Sequence, residues 1–69
     1  MRRYLIELRN EHGYSQQYVA DKLNISRQYY QMIESGERQK KMDISLASSI
    51  ATLYGISVMD VEKFEKEIT

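Results

Sequence analysis

Apolar residues recur along the chain every three or four positions, which is the spacing of one face of an α-helix. The repeat is interrupted four times, so it predicts five helices, at about residues 2–11, 16–23, 27–35, 44–54 and 58–67. Alternation of apolar and polar residues never runs beyond a few positions, and no two-residue hairpin turn such as Asn-Gly occurs. The pattern therefore predicts an all-α fold, with a single domain over residues 1–69.

Residues that favour helix ends stand at the interruptions. A glycine follows the first, third and fourth helices: Gly13, Gly36 and Gly55. A side chain that can accept a hydrogen bond from a first-turn amide precedes each of the second to fifth helices: Ser15, Ser26, Asp43 and Ser57. Asn24, which tolerates the left-handed backbone conformation, lies between the second and third helices, and Asp60 has the spacing of a capping box with Ser57.

The apolar stripes identify the expected core. The first helix contributes Met1, Leu5 and Leu8, and the fourth contributes Ile44, Ala47, Ile50, Ala51 and Tyr54. Tyr14 and Tyr30 are expected to be buried as well. The fifth helix is longer than a core of this size needs, so its apolar stripe is expected to form a homodimer interface: Val58, Val61, Phe64 and Ile68.

Residues 15–36 have the pattern of two short helices that pack through one apolar side. Val19, Ala20 and Leu23 form that side of the second helix, and Tyr30 and Ile33 form that side of the third. The third helix then exposes hydrogen-bonding and flat groups without an acidic residue: Arg27, Gln28, Tyr29, Gln31 and Met32. This arrangement is typical of a helix-turn-helix that reads base edges in the DNA major groove.

Arg27 and Gln28 are the most specific candidates on that face. Arginine can bond O6 and N7 of guanine, and glutamine can bond N6 and N7 of adenine, each discriminating between bases by roughly 1–3 kcal/mol. Tyr29 and Met32 are candidates for contacts with thymine methyl groups. The alternative interpretation is that these four residues belong to a solvated helix surface or to the rim of the core.

The net charge of the chain is zero, but its distribution is uneven. Residues 1–41 carry a net charge of +3 and residues 42–69 a net charge of −3. Arg38, Lys40 and Lys41 follow the third helix, where they are expected to contact DNA phosphates rather than form only a solvated loop. The carboxylates of the fifth helix are expected to be solvated.

The residue inventory argues against an enzyme. Cysteine is absent and His12 is the one histidine, so no set of metal ligands is evident. There is no nucleophile–base pair and no glycine-rich phosphate loop, so we expect no catalytic residue, no cofactor and no small-molecule ligand. No apolar run approaches the roughly 20 residues of a membrane span and no secretory signal is present, which predicts a cytoplasmic, nucleoid-associated protein.

Residues 5–38 resemble the helix-turn-helix domain of phage Cro and repressor proteins, the xenobiotic-response-element type. The matching residues are Leu5, Leu8, Arg9, Gly13, Ser15, Gln16, Val19, Ala20, Leu23, Ile25, Ser26, Tyr30, Ile33, Glu34 and Gly36. Residues 50–62 are similar to the fourth and fifth helices of that family. The resemblance implies a five-helix DNA-binding domain that usually acts as a dimer on a partly palindromic operator.

The resemblance also implies residue roles. Gln16 would contact a phosphate, Arg9 and Glu34 would form an inner ion pair, and residues 36–41 would follow the DNA backbone. The residues in or beside the major groove would be Ser26, Arg27, Gln28, Tyr29 and Met32. The chain departs from the family where Asn24 replaces a glycine, where Tyr30 replaces an aliphatic residue, and where the loop QKKM lacks a proline.

Two functions are compatible with these features. The first is a transcriptional repressor of prophage or mobile-element type, from a bacterium or phage, that binds double-stranded DNA as a homodimer. The second is a protein-interaction module on the same fold, an antitoxin or anti-repressor, which would work through the fifth helix and Phe64. Replacing Arg27 and Gln28 should abolish function only in the first case.

Overall fold

The computed structural model describes residues 1–68, which form five α-helices and no strand. The helices are α1 (Arg3–His12), α2 (Gln16–Lys22), α3 (Arg27–Ser35), α4 (Ile44–Tyr54) and α5 (Val58–Glu67). Each lies within one residue of its predicted bounds at both ends. The all-α, five-helix prediction is therefore confirmed.

The predicted end signals account for this agreement. Ser15, Ser26 and Asp43 accept hydrogen bonds from the third amide after them, and Ser57 and Asp60 form the complete capping box. The three predicted glycines end α1, α3 and α4 in the left-handed conformation. Only the start of α1 lacks a side-chain cap among the described helices, and Arg2 stands there.

The core has two connected parts. In the larger part, Leu5, Ile33, Ile50 and Val61 bring α1, α3, α4 and α5 together, and each is fully buried. In the smaller part, Val19 and Ala20 of α2 pack against Tyr30 of α3. Burying one such large apolar side chain stabilises the fold by roughly 1.5–3 kcal/mol. Leu5, Ile33, Ile50 and Val61 therefore supply much of the stability of this small domain.

Two residues of the predicted core are on the surface instead. Met1 is 72% exposed because it precedes the first turn of α1. Ile44 is 76% exposed because it is the first residue of α4 and extends beyond the core that Ala47 and Ile50 reach. Helical periodicity assigns a face, but it does not show how far along the helix that face is covered.

The tyrosines expected in the interior also differ from one another. Tyr30 and Tyr54 are buried as predicted, whereas Tyr14 is only half-buried. Tyr14 lies between the exposed Tyr18 and the buried Tyr54, with its ring centroid 4.5 Å from that of Tyr18 and 6.0 Å from that of Tyr54.

Helices α4 and α5 are joined by a short turn and bend by 112° with respect to each other. No single helix within residues 1–68 is long and apolar enough to cross a membrane. The bent pair of α4 and α5 taken together would be long and apolar enough, judged by length and composition only.

Candidate nucleic-acid interface

The turn between α2 and α3 is built from local backbone bonds. The amide of Ile25 donates to the carbonyl of Ala20 (3.0 Å), and Asn24 adopts the left-handed conformation with φ 59°. Asparagine visits this region more readily than most residues with a side chain, so it replaces the usual glycine. Because Ala20 is small and fully buried, α3 can pack closely across α2.

Packing against α2 and the core decides which side of α3 faces outwards. Tyr30, Ile33 and Glu34 are buried, whereas Arg27 and Gln28 are exposed. Arg27 and Gln28 are also the first two residues of α3, and neither has a hydrogen-bond or ion-pair partner within residues 1–68. Their donors and acceptors are therefore available to an external partner.

The remaining candidates on this side of α3 are partly engaged within the chain. The Ser26 hydroxyl accepts from the amide of Tyr29 at 3.1 Å, and the Tyr29 hydroxyl accepts from Gln39 Nε2 at 2.9 Å. Tyr29 is half-buried against the larger core cluster. Gln31 is exposed and donates to Gln16 Oε1 at 3.0 Å, and the Met32 side chain is half-buried.

A hydrogen-bonded network holds α3 against α1 and α2. Arg9 Nε lies 2.9 Å from Glu34 Oε2, so the ion pair implied by the resemblance is present. Glu34 Oε1 accepts from Gln16 Nε2 at 3.1 Å, and Arg9 Nη1 donates to the Tyr14 carbonyl at 3.2 Å. Through Gln16 and Gln31 the network reaches the exposed side of α3, which fixes the angle at which the helix is presented.

The interior behind this network is unfavourable for tyrosine ionisation. Burial, together with the Glu34 carboxylate, raises the pKa of Tyr30 far above its ordinary value, and burial raises the pKa of Tyr54 to about 12. Hydrogen bonding to Glu34 raises the pKa of Arg9, which keeps its charge. Tyr30 and Tyr54 are therefore neutral and Arg9 is charged throughout the neutral pH range.

The loop after α3 carries the basic residues that were predicted to contact phosphates. Arg38, Lys40 and Lys41 are all exposed. Gln39 between them has a positive φ of 55°, and its side chain joins two elements: Nε2 donates to Tyr29, and Oε1 accepts from the amide of Asp43 at 3.1 Å. The loop therefore follows one defined path beside α3.

A buried arginine that sequence reasoning missed lies beneath this loop. Arg2 is 1% exposed, and its Nε lies 2.7 Å from Glu65 Oε2 on α5. Glu65 also accepts a hydrogen bond from the Tyr4 hydroxyl. The expectation that the carboxylates of α5 are all solvated is thus wrong for Glu65, because a buried guanidinium needs a compensating charge. Helical spacing contains no signal for a pair separated by 63 residues.

The four residues predicted to form a dimer interface are placed in different environments. Val61 is fully buried in the core of the single chain, so its side chain is not available to a second copy. Phe64 is half-buried and stacks on Tyr4 with ring centroids 5.0 Å apart. Val58 is half-buried and Ile68 is 42% exposed.

Val58 lines a groove of about 410 Å³ between α4 and α5. The exposed Ile44 stands on the wall of this groove, and Lys40, Lys41 and Glu62 are among its polar lining. The groove lies beside the basic loop.

The five-helix fold with its helix-turn-helix is that of a helix-turn-helix DNA-binding protein. The comparison with protein families agrees: the helix-turn-helix family of Cro/C1 type matches residues 5–61, and the chain belongs to this family. It is therefore a DNA-binding transcriptional regulator of the Cro/C1 type, and its expected partner is double-stranded DNA. No curated protein and no solved structure matches the chain.

Proposed function

We propose that the chain is a repressor of prophage or mobile-element type that binds a partly palindromic operator as a homodimer. The observation that carries the proposal is the pair Arg27 and Gln28, exposed and unpaired within the described residues at the N-terminal end of α3. In the helix-turn-helix geometry, the N-terminal residues of the second helix are the ones that contact base edges.

In this proposal Arg27 donates to guanine and Gln28 bonds adenine, so together they determine which half-site is preferred. Ser26, Tyr29 and Met32 lie beside them at the edge of the groove. The Tyr29 hydroxyl keeps its bond to Gln39, so Tyr29 contributes its ring edge to a thymine methyl group or to the sugar. Base preference thus depends mainly on the first turn of α3.

Phosphate contacts would flank α3, the helix that contacts the bases in this proposal, on two sides. Arg38, Lys40 and Lys41 supply positive charge on the loop that follows α3, and Gln16 stands at the start of α2. The Gln16 amide donates one hydrogen to Glu34, and its second hydrogen remains for a phosphate oxygen. These contacts set orientation and affinity rather than sequence preference.

A homodimer would place two copies of α3 about 34 Å apart, so that they enter successive major grooves on one face of the DNA. The second copy would pack on the exposed Ile44 and the half-buried Val58 of the groove between α4 and α5, and would leave the ammonium groups of Lys40 and Lys41 free for DNA. Phe64 and Ile68 would lie nearer the edge of this interface. A dimer bound over a promoter represses by excluding polymerase.

The test is selection of bound sequences from a randomised double-stranded DNA library. We expect the wild-type chain to enrich a two-fold symmetric site, and the variant Arg27→Ala/Gln28→Ala to lose that enrichment. The control is Arg3→Ala/Gln17→Ala, which removes the same two residue types from exposed positions outside α3. Equal enrichment by wild type and the α3 variant would contradict base reading.

The groove between α4 and α5 also favours the second candidate function, a protein-interaction module. If wild type enriches no sequence and binds DNA only weakly, the groove becomes the main functional surface. In that case Ile44→Asp, and not Arg27→Ala/Gln28→Ala, should abolish function.

A further inference from the structure

The Arg2 side chain connects three parts of the molecule that are distant in sequence. Its guanidinium donates to the Ile33 carbonyl at the end of α3 at 2.6 Å and to the Arg38 carbonyl in the basic loop at 3.1 Å. It also donates to the carbonyl of Gln39 and to both carboxylate oxygens of Glu65 on α5. One side chain therefore joins α3, the basic loop that follows it, and α5.

These contacts match the chemistry of arginine. The guanidinium is planar, has five N–H donors and stays charged, so it can satisfy several fixed acceptors at once. Glu65 compensates the buried charge and orients the group by accepting at Nε and Nη2. The backbone amide of Arg2 adds a second bond to α3, since it donates to the Glu34 carbonyl at 2.7 Å.

Arg2 is one of several contacts that hold the loop: the Arg38 amide donates to the Met32 carbonyl at 3.1 Å, and the Gln39 side chain bonds the Tyr29 hydroxyl and the Asp43 amide. Arg38, Lys40 and Lys41 are exposed, and Gln39 has a left-handed backbone conformation that costs free energy for a residue with a side chain. Two consecutive carbonyls of the loop, those of Arg38 and Gln39, accept from Arg2. Without Arg2, both carbonyls need new partners, and fewer bonds hold the loop in its position beside α3.

We propose that Arg2 is a positioning residue for DNA binding, which holds the basic loop where its cations meet the phosphates that flank the α3 contacts. This inference rests on the proposed function. Arg2 itself is buried and touches no DNA. Its loss should therefore reduce the number of phosphates neutralised and leave base preference unchanged.

The test compares Arg2→Lys with Arg3→Lys. Both variants keep the net charge, and Arg3 is the exposed neighbour in sequence, so only Arg2→Lys changes the contacts to the loop. For each variant, affinity for the selected operator is measured across salt concentrations. We expect Arg2→Lys to make the slope of log K against log[salt] shallower by about 0.9–1.8, the equivalent of one or two phosphates, and Arg3→Lys to keep the wild-type slope.

Two further measurements separate positioning from general loss of stability. Hydrogen exchange of amides 38–42 should accelerate in Arg2→Lys and not in Ile50→Val, a core variant chosen to lower the unfolding midpoint without touching the loop. Ile50→Val should also keep the wild-type salt slope. If Arg2→Lys does not fold, Glu65→Gln takes its place, because it removes the carboxylate charge that orients Arg2, and the exposed Glu67→Gln is then the control for the change of one unit in net charge.

The outcomes are distinguishable. If Arg2→Lys, or Glu65→Gln in its place, is folded and has the wild-type salt slope, the positioning role of Arg2 is contradicted. The proposed function is not affected by that result. An altered base preference in Arg2→Lys also contradicts the positioning role, because the loop contacts only phosphates in this proposal. A wild-type chain that binds no DNA at any salt concentration contradicts the proposed function and this inference together.

Discussion

Arg9 and Glu34 join the first helix to the last turn of the third, with Arg9 Nε 2.9 Å from Glu34 Oε2. Both side chains are largely shielded from water, and Glu34 uses its second oxygen to hold Gln16 at the start of α2. The carboxylate therefore sets the relative positions of three helices. A buried pair of this kind contributes more to a unique geometry than to net stability.

Breaking this pair should be costly, whereas removing it completely should cost less. Glu34→Gln leaves the Arg9 charge without its partner, so we expect the free energy of unfolding to fall by about 3 kcal/mol, in the range for broken buried pairs. The double variant Arg9→Met/Glu34→Met should recover a substantial part of that loss. Urea unfolding of Arg9→Met, Glu34→Met and the double variant gives the coupling free energy. Strict additivity of the two single losses would show that the residues do not interact.

Base preference should depend on Arg27 and Gln28 separately. On the selected operator, Arg27→Ala should weaken binding by about 1–3 kcal/mol and relax the preference for guanine at one position. Gln28→Ala should do the same for adenine at a neighbouring position. The measurement is competition binding with single-base operator variants at a fixed salt concentration. Gln17→Ala, an exposed glutamine of α2, is the control and should leave both preferences unchanged.

Much of the fold could be predicted because its signals are local. Ser57 and Asp60 are three residues apart, and Asn24 occupies a turn that only a few residue types tolerate, so short stretches specify these features. The position of Arg27 and Gln28 on an exposed first turn follows from the same periodicity. The bonds of Arg2 could not be predicted in this way, since its partners lie on α3, the loop and α5 and only the tertiary fold brings them together. The exposure of Ile44 is likewise decided by where neighbouring helices end.

The stability of the fold should decrease at high pH through its buried tyrosines. Burial raises the pKa of Tyr54 from 10.0 to about 12, so the unfolded chain ionises at this residue before the folded chain does. Below pH 10 the stabilising effect is fully present, and between pH 10 and 12 the free energy of unfolding falls as pH rises. Chemical unfolding of wild type and Tyr54→Phe at pH 8 and pH 11 measures this contribution.

Tyr54→Phe should reduce the loss of stability between the two pH values. At pH 8 we expect Tyr54→Phe to cost little, because the Tyr54 hydroxyl is buried without a hydrogen-bond partner within residues 1–68. An identical pH dependence in wild type and Tyr54→Phe would show that Tyr54 does not contribute.

The proposed homodimer should depend on the groove between α4 and α5. Ile44 is 76% exposed on the wall of that groove, so Ile44→Asp places a charge in the proposed interface without disturbing the core of the single chain. We expect sedimentation equilibrium to give a folded monomer for Ile44→Asp and a dimer for wild type. The control is Met59→Asp, because Met59 is 78% exposed but does not line the groove. Phe64→Asp is less informative, since Phe64 stacks on Tyr4 and its loss would destabilise the single chain as well. A dimer that persists in Ile44→Asp and dissociates in Met59→Asp would move the interface to the opposite side of α5.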